Sequence, residues 1–140
     1  MKKMLSIGTF FCISLIMIVI FRAPVAQYVC GTFNKTVRAQ DECMKTIAIK
    51  LQDPFLCEKI MNNDFYTTGQ PRDYCYIWMA KLKKNEHFCE KVGTDKDLYG
   101  WNNQNSCYIR AAMAKKDHSI CDQISNAQQK EICVDSKFTE

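Results

Sequence analysis

Hydrophobic and polar positions divide this chain into one unbroken apolar run followed by a long amphipathic tract. Met4 to Phe21 is an 18-residue run without a charge. Beyond it, apolar residues recur at helical spacing. Met44, Ile47, Ala48 and Leu51 fall at i, i+3, i+4 and i+7, one face of a helix. Asp53 then stands where an N-cap is wanted, and Pro54 is a preferred first helical residue. A second helix is therefore predicted from Pro54, carrying Leu56, Cys57 and Ile60 on one side.

This pattern occurs three times, each copy shifted by 32 residues. The copies span residues 40–71, 72–103 and 104–129, with residues 130–140 a truncated fourth. Cys43, Cys75 and Cys107 open the units, followed at once by Met44, Tyr76 and Tyr108. Ala48, Ala80 and Ala112 come next; they are small where another helix is expected to cross closely. Asp53, Asn85 and Asp117 occupy the cap position. Cys57, Cys89 and Cys121 lie 14 residues after the opening cysteine. Glu58, Glu90 and Asp122, then Ile60, Val92 and Ile124, complete the unit. Such a period marks a repeat architecture. Asp41 and Glu42 are placed in the first turn of the first helix. Lys83, Lys84, Lys115 and Lys116 are placed in the last turn of its later copies. Both placements suit the helix dipole. The expected fold is all-α: an array of short helical hairpins, about three 32-residue repeats, behind an N-terminal transmembrane or signal helix.

Helices of two to three turns are marginal alone, and the cysteines supply a means of holding them. There are nine, and Cys12 lies in the apolar run. The other eight suggest a disulfide framework in an exported domain. No Cys-x-x-Cys pair points instead to zinc or thioredoxin-like chemistry. In an antiparallel hairpin turning at Gln52-Asp53, Cys57 lies beside Ala48 or Ile49. Cys43 is then about 7.5 Å further along the axis on a helix roughly 8–10 Å away. A bridge needs Cα atoms within about 7 Å. Pairing across the connectors is therefore expected: Cys30–Cys43, Cys57–Cys75, Cys89–Cys107 and Cys121–Cys133. This scheme uses all eight cysteines, whereas pairing within units strands Cys30 and Cys133. It also accounts for the spacing. The gap inside a unit stays at 14, while the gaps across connectors vary as 13, 18, 18 and 12.

The N-terminal run follows Lys2 and Lys3 and ends at Arg22, before Ala23-Pro24-Val25-Ala26. A positive start, an apolar centre and a small-residue exit fit an export signal. The run is also just long enough to span a bilayer. Residues 1–26 are thus read as a cleaved signal peptide or a retained anchor, with residues 27–140 as the repeat domain. Pro24 stands where a cleavage site wants a small residue, which favours the anchor. Lys2 and Lys3 on the cytoplasmic side place the rest outside: periplasmic or extracytoplasmic, with an inner-membrane anchor if residues 4–21 are uncleaved. Lys2, Lys3 and Arg22 also take three of the 19 basic residues, leaving 16 against 15 acids, a net +1. That balance does not favour nucleic acid as a partner.

Candidate chemistry is sparse. Residues 61–71 and 93–103 are loop-like in composition yet carry large rings. Tyr66, Tyr99 and Trp101 either cover a thin core or form a partner-binding face. Trp78 sits where Thr46 and Arg110 stand in the other copies, at an exposed helix position. These four rings are the candidate partner contacts. His87 and His118 are two and three residues before cysteines expected to be bridged, so no metal site follows. Glu58, Glu90 and Asp122 would suit a carboxylate hydrolase only if two converged; their recurrence points to a structural role. No cofactor is implied.

The unit, Cys-aromatic-x-x-x-Ala, a cap residue, then Cys-acid-x-aliphatic, resembles the cysteine-paired helical repeats of bacterial and archaeal exported proteins. The likeness covers about residues 40–133. It implies a fold and no activity. The expected function is a non-enzymatic cell-envelope module that binds another envelope or extracellular protein. A small envelope hydrolase with a carboxylate site is the alternative.

Overall fold

The computed structural model describes residues 23–61, 70–94 and 103–136. A first helix, α1, is described over residues 23–33. Among the described residues five more α-helices follow: α2 (Val37–Leu51), the single-turn α3 (Pro54–Cys57), α4 (Pro71–Lys83), α5 (Asn103–Lys115) and α6 (Ala127–Asp135). Two 3-10 turns, Glu86–Lys91 and His118–Gln123, take the place of α3 in the later units. Among the described residues there is no strand. The long helices lie side by side in the order α2, α4, α5, α6. α3 packs on both α2 and α4, the first 3-10 turn on α4 and α5, and the second on α5 and α6.

α2, α4 and α5 end the same way. Gln52, Lys84 and Lys116 adopt left-handed backbone, with φ of 50°, 49° and 57°. The next N–H turns back onto a repeated alanine: Asp53 to the Ala48 carbonyl at 3.0 Å, Asn85 to Ala80 at 3.0 Å, Asp117 to Ala112 at 3.1 Å. This closes a Schellman motif. The residue that closes it is also the next cap. Asp53, Asn85 and Asp117 accept from the N–H groups of Phe55, His87 and Ser119 at 3.1, 3.1 and 3.0 Å. Ala48, Ala80 and Ala112 are completely buried, as a close helix crossing requires.

The second element of each unit is shorter and tighter than the predicted helix. The buried pairs Cys57 and Ile60, Cys89 and Val92, and Cys121 and Ile124 are three residues apart. In each pair the aliphatic N–H bonds the cysteine carbonyl, at 3.3, 3.1 and 3.1 Å. A three-residue period stacks both members directly above one another on one side of a 3-10 turn. Two other expectations are corrected. Leu51 is 54% exposed and not on the inner face. Asp41 is not in a first turn, because α2 begins four residues earlier, capped by Thr36 accepting from the Ala39 N–H.

Four disulfides join Cys30 to Cys43, Cys57 to Cys75, Cys89 to Cys107 and Cys121 to Cys133, with Cα atoms 5.5–5.8 Å apart. Each ties an element to the following long helix, so the bridges form a ladder across the connectors. Seven of the eight bridged cysteines are at most 1% exposed, and only Cys43 is less enclosed. The core is thin: Leu56 and Met79 are the largest side chains buried to under 2% exposure. Sulfur thus fills space that a larger domain gives to aliphatic residues. An oxidising compartment follows from four such bridges.

A second recurring device links the units. Asp41, Asp73 and Asn105, each two residues before an opening cysteine, are 3%, 2% and 2% exposed. Asp41 accepts from the Met61 N–H at 3.0 Å, Asp73 from Gly93 at 3.2 Å, and Asn105 from Ser125 at 3.4 Å. Each bond reaches 20 residues ahead and holds the exit of the short turn against the long helix. In the last unit the Asn105 amide also donates to Gln129 Oε1 at 2.7 Å, which brings in α6.

The run Met4–Phe21, with the transmembrane or signal helix expected there, lies outside the described residues. No helix among the described residues is long and apolar enough to cross a membrane. The packed body includes residues of the stretch assigned to the leader, since Ala23 and Ala26 are 5% and 4% exposed.

Candidate functional site

α4 buries one side and presents another. Cys75, Met79 and Ala80 are fully enclosed, while Tyr74, Trp78 and Leu82, four residues apart, form an exposed apolar stripe. This is the 3.6-residue period acting on two faces at once. Pro71 at the start of the helix fixes its first turn, and Asp73 anchors that turn from beneath. The stripe therefore sits on a rigid element.

A groove of about 280 Å³ runs between α4 and α5, lined by Tyr74, Ile77, Trp78, Asn103, Ser106 and Arg110. Ile77 and Asn103 are 6% and 4% exposed and form its inner part. Trp78, at 40% exposure, stands on its side. Asn103, Ser106 and Arg110 follow i, i+3, i+7 spacing on α5, so one face of that helix supplies all its polar groups. Lys81 Nζ lies 5.1 Å from the centroid of the Trp78 ring, and Lys45 Nζ 5.9 Å from that of Tyr74. Lys45 is paired with Glu42. The Arg110 guanidinium has no hydrogen-bond or ion-pair partner among the described residues. The result is an aromatic wall with cations around it and no carboxylate in the lining. An arginine fork and an adjacent aromatic face suit a carboxylate next to an apolar side chain.

Of the expected contacts, the described structure places Trp78 in this groove. Tyr66, Tyr99 and Trp101 lie outside the described residues. Tyr74 and Arg110 belong to the groove and were not singled out from sequence. The i+4 relation of Tyr74 to Trp78 was the available signal.

The repeated acids do other work. Glu58 pairs with Lys91 of the next unit, Glu90 with His87, and Asp122 with Lys130 at 2.8 Å. All three side chains are well exposed, at 44%, 65% and 74%. The Lys91 ammonium also lies 5.4 Å from the Tyr76 ring, whose phenol is pushed up chiefly by burial. Lys115 donates to both Glu86 oxygens at 3.1 and 3.0 Å, a further link between units. Among the described residues no three His, Cys, Asp or Glu side chains are grouped to hold a metal ion.

No family model, curated protein or solved structure matches the chain.

Proposed function

We propose that this chain is a non-enzymatic binding module, presented on the extracytoplasmic side, that docks another envelope or extracellular protein in the α4–α5 groove. The observation that supports the reading is the combination of a half-exposed Trp78 on a rigid helix with Arg110 across the groove, which has no ion-pair partner among the described residues. Tryptophan and arginine are the side chains most often found at the centre of protein interfaces. Neighbouring cations favour a partner segment that brings an acidic residue beside an apolar one.

The reading also keeps Met4–Phe21 as an uncleaved anchor. Ala23 and Ala26 pack into the domain, and Cys30 on the same helix is bridged to α2. Cleavage after Ala26 would remove both alanines and leave α1 with seven of its described residues.

A photoreactive aromatic residue at position 78 tests the docking claim in intact cells. A discrete cross-linked species is expected there, weakened by Arg110→Glu and absent with the same residue at Phe55. Phe55 is a 51% exposed ring outside the groove. Identical products from both positions, or none from 78, would refute the groove as the docking site. The intact mass of the purified protein tests the anchor: a chain starting at Gln27 contradicts it.

A further inference from the structure

α1 is apolar on two sides. Its inner side, Ala23, Ala26 and Cys30, is buried and fastened to α2 by the Cys30–Cys43 bridge. Its outer side carries Val25, Tyr28, Val29 and Phe33, exposed by 55%, 74%, 38% and 80%. The four fall at i, i+3, i+4 and i+8, so they share one face. Scattered apolar residues at a surface need no explanation, but a contiguous face of this kind marks a contact.

The chain itself indicates what covers that face. The uncharged run ends at Phe21, and Val25 follows four residues later. A run of that length spans the hydrocarbon core of a bilayer. Between the two lies Pro24, whose missing N–H and whose ring disfavour one unbroken helix from the run into α1. A change of chain direction is therefore favoured there. If α1 stood upright on the run, Phe33 would be about 18 Å beyond Phe21 along the axis, exposed to water. If α1 turns to lie flat, all four side chains share the depth of the headgroup and acyl boundary. Tyrosine and other aromatic residues favour that depth. Arg22 and the exposed Lys35 bracket the face with positive charge, which matches anionic headgroups.

We propose that the outer face of α1 lies in the interfacial layer of the bilayer that residues 4–21 enter. This rests on the retained anchor proposed above. Because the Cys30–Cys43 bridge joins α1 to α2, the repeat domain is then held against the membrane and does not swing on a tether.

The test uses the full chain in vesicles of phosphatidylcholine and phosphatidylglycerol. An environment-sensitive fluorescent amino acid is placed at position 28, 29 or 33, and at Phe55 as a control, with helical circular dichroism checked for each. Brominated lipid is expected to quench positions 28, 29 and 33 several-fold more than position 55, and aqueous iodide to do the reverse. Iodide access at 33 equal to that at 55 overturns the proposal. Protection from both quenchers also overturns it, because another protein surface or a second copy then covers the face. Alkaline extraction separates the two claims. A chain retained in the membrane with an iodide-accessible position 33 refutes only the flat α1. A chain released by alkali refutes the anchor and the flat α1 together.

Discussion

Replacing Asp73 by alanine removes the acceptor that ties the exit of the first 3-10 turn to α4. Asp73 is 2% exposed, and its Oδ2 accepts from the part-buried Gly93 N–H at 3.2 Å. A hydrogen bond to a charged group contributes about 1.5–3 kcal/mol, and the abandoned N–H loses its partner in partly buried surroundings. The expected loss for Asp73→Ala is therefore about 2 kcal/mol. With a urea slope of about 1 kcal/mol per molar, the midpoint should fall by about 2 M. The assay is urea unfolding followed by far-ultraviolet circular dichroism, without reductant, so that the bridges stay closed. Asp73→Asn is the informative companion. The third unit uses Asn105 in this place, accepting from the Ser125 N–H at 3.4 Å, so the backbone geometry accepts an amide. Its midpoint should lie much nearer wild type than that of Asp73→Ala. An alanine variant with an unchanged midpoint refutes the tether. An asparagine variant as weak as alanine assigns the energy to the carboxylate's charge and not to the repeated bond.

Other outcomes follow from the same geometry. Gln52→Gly, Lys84→Gly and Lys116→Gly each relieve a left-handed side chain and should stabilise by about 0.5–1 kcal/mol, raising the thermal midpoint; a drop for all three would contradict the capping account. The His87 ring should titrate above the usual histidine value, because Glu90 accepts from Nδ1 at 3.0 Å and favours the protonated form. Its contribution is then fully present below about pH 6.5 and lost as pH rises through the higher folded value. Proton NMR of the imidazole checks this: Glu90→Gln should return the midpoint to about 6.5, and no change on substitution counts against the pair. Trp78→Ala should leave the urea midpoint close to wild type, since the ring lies on the groove wall and not in the core; a fall as large as that of Asp73→Ala would contradict this placement.

The repeat was legible because its parts obey local rules. The constant 14-residue spacing of Cys43 and Cys57 combines with helix rise and interaxial distance to separate them, and the pairs found are those across the connectors. The caps at Asp53, Asn85 and Asp117 were legible for the same reason: a short acceptor before a turn has one favoured use. What composition did not signal is backbone and burial detail. Gln52, Lys84 and Lys116 are not residues that advertise positive φ, so the shared left-handed stop was invisible. Asp41 was placed in a first turn because a carboxylate suits that site; α2 starts earlier and buries it instead. The in-phase recurrence of Asp41, Asp73 and Asn105 was the missed signal, obscured by the change from acid to amide. Likewise Ala23 and Ala26 carry the composition of a leader exit but pack as core. Of the α4–α5 groove, Trp78 was legible as an exposed ring, whereas Arg110 acquires its place only when α5 is laid against α4.

The central claim is that cross-links, more than a large apolar interior, hold these helices together. Bridges closing loops of 12–18 residues contribute about 3 kcal/mol each, so four together match the whole stability of a typical domain. The direct measurement is far-ultraviolet circular dichroism of the protein in a phosphine reductant at neutral pH without denaturant, with a parallel thiol count. The account predicts that the helical signal of the repeat domain collapses as the thiols of Cys30, Cys43, Cys57, Cys75, Cys89, Cys107, Cys121 and Cys133 appear. Full reduction with an unchanged spectrum and an unchanged cooperative melt would contradict it.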